Sequence, residues 1–183
     1  MTILSELHQD HVNLNKLLVI LRQKCESLRA GDHPNFNLMA DVISYISGYA
    51  DGFHHPREDR MYEYFSGRLD QLDQKLNDCK VEHEKLKVAS SQLHDTIEGV
   101  LHDSVVPMEE FADRLEAFVC LQIDHLNTEE GELFPLIEEQ ASEEDWKILD
   151  KHLPKPEDPL FGAKQAHEYS DLYKELIMDM NSA

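Results

Sequence analysis

Six residues have the types and spacing of a metal centre: His11, His54, Glu58, His83, His125 and Glu129. His54 with Glu58, and His125 with Glu129, are spaced i, i+4, so on a helix both side chains of each pair leave the same face. Two such pairs, joined by single histidines from two further helices, give each of two metal ions two imidazoles. The two carboxylates can then bridge the ions. A nitrogen and oxygen donor set without thiolate suits iron, manganese or zinc. A single histidine on an apolar stripe is ordinarily a hydrogen-bonded core residue. Two carboxylates on core-facing stripes are harder to explain that way, because burying an unpaired charge costs many kcal/mol unless it is coordinated or ion-paired.

The elements that must position these groups are helices. Glycine and proline number only seven each in 183 residues, and long segments contain neither. In the first segment, Leu7, Leu14, Leu18, Leu21, Cys25 and Leu28 follow a bundle-helix spacing that His11 completes, with Gly31 as the stop. A second helix is expected from Asn37 to Phe65, kinked near Gly52 because Pro56 removes a backbone hydrogen bond. The third, from Leu69 to His102, carries Leu72, Leu76, Cys79, Leu86, Leu93, Ile97 and Val100 in line with His83. The fourth, from Met108 to Gln140, places Phe111, Leu115, Phe118 and Leu136 with His125 and Glu129, and has Pro135 near its end. Beyond it, Ser142 and Asp145 mark the start of a short helix through Lys151, Pro154 to Pro159 an irregular stretch, and residues from Gly162 to Met180 a last helix.

The chain repeats itself. Asp10-His11-Val12-Asn13-Leu14 recurs as Glu82-His83-Glu84-Lys85-Leu86, and the segment from His54 to Asp59 recurs as His125 to Glu130. The halves therefore read as two helical hairpins with related sites, forming an all-α four-helix bundle with pseudo-two-fold symmetry. Residues 1–140 are assigned to the bundle, and 141–183 to a helical extension packed on it.

Composition narrows the function. Seventeen basic residues oppose 37 acidic ones, a formal net charge of -20, which repels phosphate and argues against nucleic acid or an anionic membrane as partner. Eleven histidines against three cysteines favour cation binding over a disulfide framework. The segment Met1 to His11 lacks a signal-peptide pattern, and the longest apolar run, Leu17 to Leu21, is far short of the roughly 20 residues of a membrane helix. A cytoplasmic location is expected. Protease, nucleotide-binding and hydrolase motifs are absent.

At these residues the sequence resembles the hemerythrin-like, or HHE cation-binding, family. The resemblance rests on Asp10-His11, His54-His55-Pro56-Arg57-Glu58-Asp59, Glu82-His83-Glu84 and His125-Leu126-Asn127-Thr128-Glu129-Glu130 with Leu133-Phe134-Pro135. Asp158-Pro159-Leu160-Phe161-Gly162 is similar to the tail of bacterial members. It implies an up-down-up-down four-helix bundle holding two iron ions, bridged by two carboxylates and a solvent-derived oxo or hydroxo group. Where oxygen-carrying members place a second histidine on the third helix, this chain has Lys87. An open coordination position is therefore expected there, and a small ligand such as dioxygen, nitric oxide or peroxide is the expected partner, in sensing, storage or stress defence. The alternative is an iron-handling or iron-sulfur centre repair role; whether the chain is an enzyme, and whether it forms a homodimer, are left open. His55, Asp59 and Glu130 are expected outside the ligand set, His8 near solvent, Tyr45, Tyr49 and Tyr62 in packing roles, all three cysteines in the core, and His167 as a possible cap of the site.

Overall fold

In the computed structural model, which describes residues 2–182, every regular element among those residues is helical. Helix α1 (Ile3–Arg29) is capped by the Thr2 side chain and gives way to Gly31, whose φ of 85° suits a residue without Cβ. Helices α2 (Phe36–Tyr45) and α3 (His55–Phe65) form one continuous rod through a π-helical stretch, Ile46–His54. Helix α4 (Asp70–Leu101) follows. Helices α5 (Met108–Thr128) and α6 (Phe134–Gln140) form a second interrupted rod, joined by the π-helical stretch Glu129–Leu133. The long helices thus meet the sequence expectation to within a residue or two. Helix α1 packs against α5, α2 against α4, and α4 against α5.

The kink expected near Gly52 takes the form of a π stretch. Pro56 cannot donate to a helical carbonyl, and the ladder rewinds ahead of it, so that the His55 amide bonds to Ala50 O, five residues back. The same occurs ahead of Pro135, where the Phe134 amide reaches Glu129 O. In both rods a glycine, Gly52 or Gly131, stands four residues before the proline, where the ring crowds the chain.

Two apolar clusters hold the rods together. One contains Leu14, Leu18, Leu21, Phe111, Leu115 and Phe118, the other Ile3, Leu7, Met61, Phe65, Leu133 and Ile137. On α1, His11 falls between Leu7 of one cluster and Leu14 of the other, so the polar residues form a layer between two apolar ends. Helix α7 (Glu143–His152), begun by a Ser142–Asp145 capping box, adds Leu149 to the second cluster, and Asp150 accepts from the Ile3 amide at 2.8 Å. A 3₁₀ turn (His167–Tyr169) and helix α8 (Ser170–Ser182) add Tyr169, Leu172 and Leu176 to the first. Asp158 is buried in the irregular stretch between α7 and the 3₁₀ turn. It accepts from the Leu160 and Phe161 amides at 2.8 Å and from the Tyr45 hydroxyl at 3.0 Å. Gly162 is required there, since a Cβ would lie 2.2 Å from Asp158 O.

Candidate metal centre

All six residues singled out by spacing are buried in one layer, with Glu58 and Glu129 fully inaccessible. The rods bring His11 from α1, His54 from the end of the first π stretch, Glu58 from α3, His83 from α4, His125 from α5 and Glu129 from the second π stretch into contact. His11 Nε2 lies 3.1 Å from Glu58 Oε1, and His54 Nε2 is 3.2 Å from the same oxygen. The other Glu58 oxygen faces His83 Nε2 at 3.5 Å. Glu129 also touches both sides, with Oε2 at 3.2 Å from His125 Nε2 and 3.3 Å from His11 Nε2, and Oε1 at 3.4 Å from His83 Nε2. Each carboxylate therefore spans two sets of imidazoles.

His55 departs from the sequence expectation. Consecutive residues of a regular α-helix point about 100° apart, and its neighbour His54 already faces inward. Yet His55 is only 2% exposed, stacked on His83 with ring centroids 4.4 Å apart. The π stretch that ends at His54 changes the local register and turns both rings inward. His55, Glu58, His83 and His125 offer donor atoms within 4.8 Å of one another, as do His11, His54 and Glu58, and Cys79, His125 and Glu129. Cys79 is likewise closer to the centre than a core cysteine need be. Only a register shift ahead of Pro56, or the apolar-stripe position of Cys79 four residues before His83, pointed to either residue in the sequence.

Each of the five imidazoles has a carboxylate at Nδ1. Glu130 meets His11 at 2.6 Å, Asp10 meets His54 at 3.3 Å, Asp51 meets His55 at 3.2 Å, Asp59 meets His83 at 2.9 Å and Glu82 meets His125 at 3.0 Å. At His11, His54, His83 and His125 this contact is a hydrogen bond, the arrangement that fixes a tautomer with Nε2 free as a ligand and raises its basicity, whereas Asp51 lies beside His55 Nδ1 without one. Asp59 and Glu130 thus lie outside the cluster of facing donors, as expected, yet hold two of its histidines. The pairing follows the sequence repeat: Asp10 serves the next helix's histidine as Glu82 does, and Glu130 serves His11 as Asp59 serves His83. Tyr62, expected only to pack, donates its hydroxyl to Glu129 Oε1.

The electrostatics match a cluster of mutually compensating charges. Burial opposes a charged ring at His11 and His83, but hydrogen bonds to Glu130 and Glu58 at His11, and the Asp59 hydrogen bond with the nearby Glu129 and Glu58 charges at His83, outweigh it and raise each to about 10. Burial and the neighbouring Glu58 charge would raise Glu129, but His125, His83 and His11 hold it down at about 2. His55 is different: burial pushes it down to about 4, leaving a neutral imidazole at neutral pH. Its two nitrogens, His83 Nε2, His125 Nε2, Glu58 Oε2 and Glu129 Oε2 have no hydrogen-bond partner although fully buried. Orphaned polar atoms of this kind, converging from four elements, fit cations.

Other expectations resolve as follows. Lys87 is exposed, and so is His167, which does not cap the cluster. His8 is exposed and bonds to Glu130 at 2.9 Å. Cys25 and Cys79 are buried, but Cys120 is exposed, contrary to the core assignment. A recess of about 200 Å³ lined by His8, His11, Val12, Ile123, Leu126 and Glu130 leads from the surface to His11. No helix among the described residues is long and apolar enough to cross a membrane.

No curated protein matches the chain in sequence. The family profile described as the hemerythrin HHE cation binding domain matches residues 2–137. That span contains every histidine, glutamate and aspartate of the cluster, and the chain belongs to the hemerythrin HHE cation-binding domain family.

Proposed function

We propose that the chain is a non-haem di-iron protein that binds or reacts with a small ligand, namely dioxygen, nitric oxide or peroxide. In this reading residues 1–140 form an up-down-up-down four-helix bundle and 141–183 an extension upon it. His11 and His54 would hold one ion, His83, His125 and His55 would hold the other, and Glu58 and Glu129 would serve both. The observation that carries the reading is the two-sided contact of both carboxylates, since each faces both groups of imidazoles with its two oxygens. A bound pair of ferrous ions supplies the electrons and the Lewis acidity for ligand capture. The donors would also accept manganese or zinc.

The protein's own residues decide where a ligand enters. In the sequence repeat, Leu126 occupies the place of His55. The half that holds His83 and His125 gains a fifth imidazole, whereas the half that holds His11 and His54 has an apolar side chain instead. The recess lined by Leu126 and His11 opens on that same half. Access and the smaller donor set coincide there, which supports an open coordination position on that half and not beside Lys87. The apolar ends keep bulk water out, and Phe134 stacks on His11 with centroids 5.3 Å apart. Four imidazoles hydrogen-bonded to carboxylates favour a resident cofactor over iron held as cargo. Stopped-flow absorbance of the reduced, iron-loaded protein mixed with nitric oxide tests the reading. A new visible absorption saturating near one equivalent per chain is expected, and an unchanged spectrum overturns it.

A further inference from the structure

The five carboxylates behind the imidazoles are not equivalent. The side chains of Glu82, Glu130 and Asp59 are about a third exposed, at 33%, 33% and 28%. Asp51 is buried and accepts a hydrogen bond from the Ser90 hydroxyl. Asp10 is also buried, and its second oxygen accepts from Lys155 Nζ at 2.6 Å. Among the described ion pairs it is the only one of the five to meet a lysine or arginine. Lys155 does not come from the matched bundle but from the irregular stretch beyond residue 137. That stretch is anchored on both sides. Arg57 Nε, one residue from Glu58, donates to Leu153 O at 2.9 Å, and Tyr45 donates to Asp158 at 3.0 Å.

We infer that Lys155 is a positioning residue for one metal only, acting through Asp10 on His54. The inference rests on the dinuclear reading above. A carboxylate buried without a counter-charge is expensive, so the Asp10 side chain stays against His54 because the ammonium holds it there. Asp10 in turn accepts the His54 Nδ1 proton and leaves Nε2 facing Glu58. The equivalent carboxylate in the other half, Glu82, reaches water and needs no such partner. The tail therefore makes the two halves unequal: it tightens the His11–His54 position and leaves the His55–His83–His125 position untouched.

The test uses the full chain. Ferrous ion is loaded anaerobically, and the affinities for the first and second ions are measured by competition with a ferrous chelator in the unmodified protein, Lys155→Met, Lys155→Arg, Asp10→Asn and the Lys155→Met/Asp10→Asn double variant. Circular dichroism monitors the fold, and ¹⁵N NMR of the His54 ring reports its tautomer in the metal-free protein. Lys155→Met and Asp10→Asn should each weaken one ion by about 10–100-fold, the range for loss of an outer-sphere partner, and leave the other within about two-fold. The double variant should add little to either single one. Lys155→Arg should keep most of the affinity, and Lys155→Met should lose the fixed Nδ1–H form of His54. Equal weakening of both ions with lost helicity, or no change in affinity or tautomer, overturns the inference. If the unmodified protein takes up one ion or none, the dinuclear reading fails, and the tautomer comparison alone then decides whether Lys155 orders His54.

Discussion

Replacing His55 by leucine, the residue its repeat partner carries at position 126, should move the stability of the metal-free and metal-loaded protein in opposite directions. His55 is buried, is held near pKa 4 and is therefore neutral at pH 7, and leaves both ring nitrogens without a hydrogen bond. A buried polar group in that state costs about 1–3 kcal/mol, and an apolar side chain of similar volume removes the cost. Asp51 keeps its Ser90 donor but loses a neighbour at 3.2 Å, which argues for the lower end, about 1 kcal/mol. For a chain of this length that is a rise of about 2–4 °C in Tm for the metal-free protein. The loaded protein should lose one of three imidazoles at its second position and melt lower than the loaded unmodified protein. Thermal melts followed by circular dichroism, with and without two equivalents of ferrous ion under anaerobic conditions, give all four values. If His55→Leu lowers the Tm of the metal-free protein as much as that of the loaded one, His55 is a packing residue and its place in the donor set is wrong.

Four further outcomes follow from the same geometry. Glu58→Gln and Glu129→Gln should each cost more than one ion per chain by elemental analysis, because each carboxylate faces both imidazole groups, whereas Glu130→Gln, which backs His11 as its one histidine of the cluster, should weaken binding about 10–100-fold and leave the metal content at saturation unchanged. Lys87→His should leave metal content and optical spectrum unchanged, since position 87 faces solvent. In the metal-free protein His11 and His83 titrate near 10 against an ordinary value near 6.5. Their stabilisation is complete below about pH 6.5 and is lost as pH rises towards 10. His55, depressed to about 4, has the opposite sign and contributes above about pH 6.5, fading as pH falls towards 4, so urea melts of the metal-free protein should show greatest stability near neutrality. The loaded protein should instead release metal on acidification, because protons compete for the same nitrogens.

The helices and the six-residue cluster were legible in the sequence because both depend on local spacing. A stripe of leucines at helical intervals has one inward face, and a histidine or glutamate falling on it must enter the core. The duplicated His-x-x-x-Glu segments added a second, independent copy of the same signal. What escaped was decided by departures from regular helix. His55 and His54 cannot both face inward on an unbroken α-helix, and only the wider winding ahead of Pro56 allows it. Tyr62 and Cys79 sit on core stripes where an aromatic or a thiol is ordinary, so their contact with the cluster carries no sequence signature. Lys155 lies 145 residues from Asp10, and its ion pair depends on how a proline-rich stretch folds back over α1. Cys120 was misplaced because a small sulfur side chain is apolar enough for either environment, and here it faces solvent.

The iron content of the chain, loaded anaerobically with excess ferrous ion and desalted, tests the central claim most directly. On the proposed reading, two carboxylates that each face both imidazole groups bridge a pair of metals, and two ions per chain are expected. A value of one, or none, would contradict the dinuclear centre and the roles assigned to Glu58 and Glu129 within it.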